Sequence, residues 1–414
     1  MTTPETKPAA TVDADYSLEP VPKTARKKFW PMFFIMLGFT FFSASMSVGA
    51  QLGNGLDFSG FVWAVLIGSL ILSVYTGGLG YIGSATGMSL DLLAQRSFGR
   101  VGSYLPSALI SFTQIGWFGV GLAMFATPAA EVLHVNPWVL IVLAGVCMTS
   151  SAYFGIKGLE IVSYISVPLI AILGVYSMVT ATVEGGGLVA IFAKSAGSLS
   201  LFGGVGLVMG SFVSGGTATP NFTRFANNNK NAVVTTVIAF FLGNALMFAF
   251  GAVGGAFTGK DDIFYVMMAQ GLMIPALIVL GANIWTTADN GLYTCGLGLS
   301  NITKMPKRPM VLASGAIGTI TSIWLYNNFI SYLNILNGTL PPLGAIIILD
   351  YFLHKDRYTP GSVVTRSVNW GAILGVAAGA LVGNLVQWGI TSVNAMAVAC
   401  VIYYVFDKLV KADA

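Results

Sequence analysis

The sequence predicts an all-α membrane protein of twelve transmembrane helices. Three observations predict it. Of its 414 residues 55% are hydrophobic and only 9% are charged, against roughly 25% charged in an average soluble domain. The apolar residues gather into runs near the length of about 20 residues that a helix needs to cross a bilayer. The basic residues concentrate in every second loop. So few charges cannot cover a water-facing surface, and lipid is the predicted solvent.

The elements follow in chain order. Residues 1–28 read as a cytoplasmic N-terminal tail, disordered to about Pro20 because that stretch is polar and rich in Thr, Ala and acidic residues. It is not read as a cleaved signal, since the first apolar run, from about Phe29, is too long for a signal-peptide core. Residues 29–182 hold five runs, at about 29–50, 60–82, 103–127, 137–155 and 161–182. Residues 199–352 hold five more, at 199–217, 232–255, 271–298, 311–327 and 330–352. Two peripheral helices are predicted within 369–406, followed by a cytoplasmic C-terminal tail, 407–414.

With the N-terminus inside, every Lys and Arg except Lys194 and Lys260 falls on the cytoplasmic side. That is the positive-inside pattern, and it puts both termini in the cytoplasm. It also checks the span count, because one missed helix would scramble the alternation.

Composition excludes several functions. The net charge of +4 is spread over loops, so no nucleic-acid partner is expected. Cys147, Cys295 and Cys400 lie far apart in apolar runs, and only His134 and His354 supply imidazoles. A metal cluster or a nucleophilic triad has little to draw on, and no enzyme is expected. No Lys or Arg sits in mid-span, as a voltage sensor would require. Gly203-Gly204-Val205-Gly206 lacks the Gly-Lys-Ser/Thr ending of a phosphate loop and reads as close helix packing. No obligate protein partner is implied.

Two spans are interrupted by small polar residues. The first reads Met36-Leu-Gly-Phe-Thr-Phe-Phe-Ser-Ala-Ser-Met-Ser47, and the sixth Gly210-Ser-Phe-Val-Ser-Gly-Gly-Thr-Ala-Thr-Pro220. Gly is a poor helix former, and Pro220 disfavours helix at Thr219. These are equivalent positions in two five-helix repeats, and broken helices at matching places point to a transporter's binding site. In the eighth span Asn283, Thr286, Thr287 and Asn290 recur at i, i+3, i+4 and i+7 and form one stripe. Oxygen atoms of that kind suit a hard cation. Asp289 is the only carboxylate well inside a span. It is a candidate hydrogen-bond acceptor at the substrate site, or a proton site. In the third span Gln114 and Trp117 share a face, and Gly116, Gly119 and Gly121 leave space where a flat ligand can stack.

These residues resemble nucleobase:cation symporter family one. The resemblance runs from about Pro20 to Tyr404. It is strongest at Met36–Met46, Thr113–Ala126, Phe241–Ala252, Ala269–Thr303, Trp324–Phe329 and Pro341–Tyr351. It implies a LeuT-like fold, with two inverted five-helix repeats, two peripheral helices, and helices 1 and 6 broken. It implies uptake of cytosine across the bacterial inner membrane, coupled to Na+ by alternating access. The base would stack between Trp117 and Phe212, with Gln114, Asn283 and the backbone around Ser214-Gly215 reading its polar edge. Sodium would sit among the carbonyls of Gly38, Phe41 and Asn283 and the hydroxyls of Thr286 and Thr287. Proton coupling, or a purine, allantoin or hydantoin as substrate, are the alternatives.

Overall fold

The computed structural model describes residues 15–412 apart from 155, 360 and 387. In chain order the helices are α1 (Phe29–Thr40), α2 (Ser43–Gly55), α3 (Phe58–Thr86), α4 (Leu90–Phe98), α5 (Tyr104–Leu133), α6 (Pro137–Tyr153), α7 (Ile156–Glu184) and α8 (Leu188–Phe192). They continue with α9 (Leu201–Thr217), α10 (Pro220–Thr223), α11 (Asn229–Val237), α12 (Asn244–Thr258), α13 (Ile263–Ala269), α14 (Met273–Thr303) and α15 (Lys307–Asn327). The chain ends in α16 (Phe329–Thr339), α17 (Pro341–Leu353), α18 (Trp370–Leu385) and α19 (Thr391–Ala412). A π-helical stretch, Ile238–Gly243, joins α11 to α12.

The protein is an all-helical membrane protein. Among the described residues eight helical stretches are each long and apolar enough to cross a bilayer, and α1 with α2 makes a ninth, bent by 50°. The remaining predicted runs fall on α6 and α18, which are apolar but shorter, and on α14, which carries the polar stripe. Sequence explains the boundaries. Asp57 and Ser200 cap α3 and α9 by accepting from Gly60 N–H and Gly203 N–H, as N-cap side chains do. Pro137 opens α6, where its missing N–H costs nothing.

Glycine sets how closely the central helices approach. Gly49 and Gly53 of α2 face the backbone of α12 at Phe248 and Ala252, and Gly251 and Gly255 of α12 face Met46 and Ala50. A Cβ on Gly255 would lie 2.5 Å from the Cα of Ala50. Lipid supplies no hydrophobic force between helices, so small residues at four-residue spacing do the packing.

Two expectations are corrected. The sixth span is not broken at its centre. α9 stays helical through Gly210–Gly216, and only Ala218–Thr219 departs from regular hydrogen bonding before α10 resumes. Pro220 cannot donate to Gly216 O, so Thr219 N–H takes that acceptor at 3.2 Å. The chain tightens there instead of unwinding, and Thr219 keeps helical angles (φ −44°, ψ −41°).

The N-terminal tail is packed from Asp15 onward. Asp15 O and Tyr16 O accept from Arg224 Nη2 and Nη1 at 2.7 and 2.8 Å. Asp15 pairs with Lys307 at 2.5 Å, and Val21 N–H donates to Gly87 O at 2.8 Å. The first 14 residues of the predicted tail lie outside the described residues. The predicted C-terminal tail is helical as far as Ala412, and 413–414 lie outside the described residues.

Arg224 is fully buried and also donates to Tyr293 Oη at 2.9 Å. Hydrogen bonds to a charged group contribute about 1.5–3 kcal/mol each. Arg224→Met therefore lowers stability by about 3 kcal/mol, read as a fall in melting temperature in detergent. Equal melting of variant and parent would show that the strap's anchor lies elsewhere.

Candidate functional site

The site begins where helix stops. Thr40 Oγ1 turns back to Met36 O and Leu37 O at 3.2 and 3.3 Å. Phe41 (φ −76°, ψ 85°) and Phe42 (φ −127°, ψ 129°) are non-helical, and α2 restarts at Ser43. Non-helical backbone is tolerated at membrane depth only when protein or a cavity receives it. Here the side chain of Asn283 on α14 bridges the gap. Its Nδ2 donates to Phe41 O, and its Oδ1 accepts from Ser43 Oγ at 2.7 Å.

A pocket with about 10 Å³ of free space lies beside the gap, lined by Phe39, Phe42, Gln114, Trp117, Ser211, Phe212, Ser214, Gly215 and Thr287. That is roughly the space one water needs, so the walls must move apart before a ring can enter. Trp117 Nε1 donates to Ser214 Oγ at 2.9 Å, which ties α5 to α9. Its indole meets Phe42, Phe329 and Tyr332 edge-on at 5.7, 5.8 and 5.5 Å. Phe212 meets Phe39 and Phe240 the same way at 5.2 and 5.6 Å. Such T-shaped contacts satisfy the ring quadrupoles and hold both aromatics in place. Gly215 is required, since a Cβ there would lie 2.7 Å from Phe39 and 2.8 Å from Phe212.

Two polar atoms in this wall have no partner. Gln114 Nε2 and Thr287 Oγ1 are buried without a hydrogen bond among the described residues. Each such group costs about 1–3 kcal/mol when unmet. A ligand with a donor and an acceptor on its rim would relieve both.

The structure thus brings Gln114, Trp117, Phe212, Ser214 and Gly215 to one cavity. It does not bring Asn283 or Asp289 there. Asn283 is committed to the helix gap. Asp289 Oδ1 accepts from Ser151 Oγ of α6 at 2.7 Å, and that oxygen in turn accepts from Trp285 Nε1 at 2.7 Å. At about 100° per residue, Asp289 stands on the far side of α14 from Thr287, which faces the cavity.

Of the candidate ion ligands, Phe41 and Asn283 meet where α1 and α14 face each other. Phe41 O is bonded to the Asn283 amide, and Asn283 O accepts from Thr286 Oγ1 at 2.7 Å. Gly38 packs against Ser163 of α7. Thr287 lines the cavity wall. The donors are carbonyls and hydroxyls, as hard cations prefer. Among the described residues no three His, Cys, Asp or Glu side chains cluster, so a thiolate or imidazole metal site is not formed. Sequence reasoning missed Phe39, Phe42 and Ser211. The signal existed, since Ser211, Ser214 and Gly215 recur at i, i+3 and i+4 on one face of α9.

The family model and a full-length relative define a permease and not an enzyme, and the fold agrees with solved structures. The chain superposes on the closed, bromovinylhydantoin-bound structure of Mhp1, a nucleobase-cation-symport-1 family transporter, with a TM-score of 0.80 and 19% identity over 95% of both chains. A Na+-coupled sialic acid symporter matches with a TM-score of 0.72 and 14% identity, over 96% of this chain and 92% of that one.

Residues 20–406 match the family of permeases for cytosine/purines, uracil, thiamine and allantoin, and the chain belongs to that family. It is 48% identical to the cytosine permease of Escherichia coli K12 over 96% of this chain and 95% of that protein. It is 23% identical to the hydantoin permease of Microbacterium maritypicum over 69% of this chain and 67% of that protein.

Asn283→Ala removes the bridge across the helix gap and leaves Phe41 O and Ser43 Oγ without it. A loss of about 2–3 kcal/mol is expected, measured as melting in detergent. Asp289→Asn keeps an acceptor for Ser151 and should cost less. Reversal of that order would put the structural burden on Asp289.

Proposed function

We propose that this protein carries cytosine across the bacterial inner membrane together with one sodium ion, by alternating access. Twelve spans with both termini in the cytoplasm complete this reading, supported by the one-sided distribution of Lys and Arg. The observation that carries it is the small aromatic cavity beside the gap, with an unmatched amide donor at Gln114 and an unmatched hydroxyl at Thr287. The 48% identity to a cytosine permease favours cytosine among planar rings.

Trp117 and Phe212 supply stacking, worth roughly 1–3 kcal/mol per base. Stacking accepts any base. Selection therefore falls to hydrogen bonds, because a mismatched edge leaves buried groups unpaired. Gln114, Ser214 and Thr287 are the side chains in position to read that edge. Asn283 acts one step back, by fixing the backbone of the gap.

Cytosine is neutral, so the membrane potential does not drive its uptake alone. Co-transport of one cation adds about 2.3 kcal/mol per 100 mV and roughly 1.4 kcal/mol per tenfold gradient. Sodium held by Gly38, Phe41 and Asn283 carbonyls and the Thr286 and Thr287 hydroxyls would fasten α1 to α14. Proton coupling has one observation in its favour: the second carboxylate oxygen of Asp289 is buried without a hydrogen bond.

The test is uptake of labelled cytosine into proteoliposomes. An inward sodium gradient should stimulate it several-fold, and a pH gradient alone should not. Uptake that follows only the pH gradient would shift the assignment to Asp289. Unlabelled hydantoin or adenine in excess should compete at least tenfold less well than cytosine. Trp117→Ala should weaken cytosine binding about tenfold or more, and Thr287→Ala should abolish sodium stimulation while the protein still folds. Sodium stimulation surviving in Thr287→Ala removes that ligand.

A further inference from the structure

We propose that the cleft between α4 and the loop joining α17 to α18 binds a negatively charged phosphate group, supplied by the headgroup of an anionic phospholipid. The cleft has a volume of about 160 Å³, opens to solvent, and is lined by Arg96, Arg357, Val363, Val364, Thr365 and Arg366. None of these residues belongs to the aromatic cavity.

Three guanidinium groups therefore surround one space. Arg357 is held by Asp350 Oδ1 at 2.7 Å and lies 3.9 Å from Asp407, so its charge is largely offset. Arg96 and Arg366 pair with no carboxylate among the described residues. Asp356, the acidic residue of this loop, does not line the cleft. Two positive charges are left without a counter-ion. Planar guanidinium groups match phosphate oxygens in pairs and favour them as partners.

The cleft is built before any ligand arrives. Arg96 Nη1 donates to Ser362 O and Ser362 Oγ at 2.5 and 2.7 Å. Arg100 N–H and Val101 N–H donate to Arg366 O and Ser367 O at 3.0 and 2.8 Å. Gly99 (φ +90°) lets the loop come this close, since a Cβ there would lie 2.6 Å from Ser367 O. Walls pinned in this way lower the ordering cost of binding.

The surroundings favour a lipid over a soluble anion. Val363 in the cleft wall is 80% exposed, and Trp370 at the start of α18 is 60% exposed. Phe352, at the end of α17, is also exposed. Apolar and aromatic side chains beside arginines at helix ends are the composition of a membrane interface, where basic pockets take anionic headgroups.

The test is native mass spectrometry of the delipidated full-length protein in detergent, with phosphatidylglycerol, phosphatidylcholine or inorganic phosphate added. Phosphatidylglycerol should be retained at least tenfold better than phosphatidylcholine, and the Arg96→Gln, Arg366→Gln double variant should lose that preference. Arg366→Gln alone, at an exposed position that does not threaten folding, should weaken retention about threefold. Arg308→Gln, an exposed arginine outside the cleft, should leave it unchanged. Equal retention of the two lipids, or retention indifferent to Arg366, overturns the site. Inorganic phosphate that binds while phosphatidylglycerol gains nothing over phosphatidylcholine overturns the lipid source.

Discussion

The gap in the backbone at Phe41–Phe42 is the constraint on which the rest of this structure depends. A membrane helix can lose its hydrogen bonds only where protein takes them over. The gap therefore fixes what must stand around it. Asn283 has to reach it from α14, and α14 can do so only because α1 and α14 pack directly. α2 restarts at 50° to α1 and is held there by glycine contacts with α12. The π-helical stretch that precedes α12 brings Gly243 against Leu37, Thr40 and Phe41. Extra turns of this kind cluster at functional sites. Here it adjusts the seventh span to the bend of the first.

The cavity inherits its geometry from that gap. Phe39 at the end of α1 and Phe42 within the break close the cavity against Phe212 and Trp117. An unbroken α1 would hold those two rings in helical register. Chemistry divides between the walls. α5 and α9 carry the aromatic rings and the Trp117–Ser214 hydrogen bond. α14 contributes Thr287 from the same stripe whose other member, Asn283, holds the gap. The turn geometry of one helix thus separates three roles: Asn283 for the backbone, Thr287 for the cavity, and Asp289 for α6.

Much of this was legible in the sequence, for identifiable reasons. Spans are written in length and composition, and the first break is written in Gly38 together with the Ser43–Ser47 cluster. Trp117 and Gln114 declared themselves as a polar and an aromatic residue sharing one helix face between glycines. The sixth span was misread because Gly, Ser and Thr serve two purposes in lipid. Gly210 lies against Leu333 and Asn337 of α16, and Gly216 against Thr76 of α3, so its glycines pack helices and do not open one. The strap from Asp15 was illegible because its anchor, Arg224, lies more than 200 residues away. Local polarity said disorder, and a distant buried arginine decided otherwise. Asp289 was placed at the site by its charge, whereas its angle around α14 carries it to Ser151.

The break and the cavity share α14, and under the proposed ion site that sharing would couple two ligands. An ion that took the Thr287 hydroxyl would order a side chain that also lines the cavity. A ring bound against Thr287 orders the same residue from the other side. Each ligand then lowers the ordering cost of the other, and linkage requires the effect to be equal in both directions. The asymmetry between the first and sixth spans adds to this. α9 keeps its helical hydrogen bonds through the cavity wall, whereas the α1–α2 joint relies on the Asn283 side chain together with Phe41 N–H to Leu37 O, Ser45 N–H to Phe42 O and the glycine contacts of α2 with α12. The first span therefore borrows partners from α14 at its break, while the sixth span supplies its own, and only the first ties the cavity wall to the polar stripe of α14.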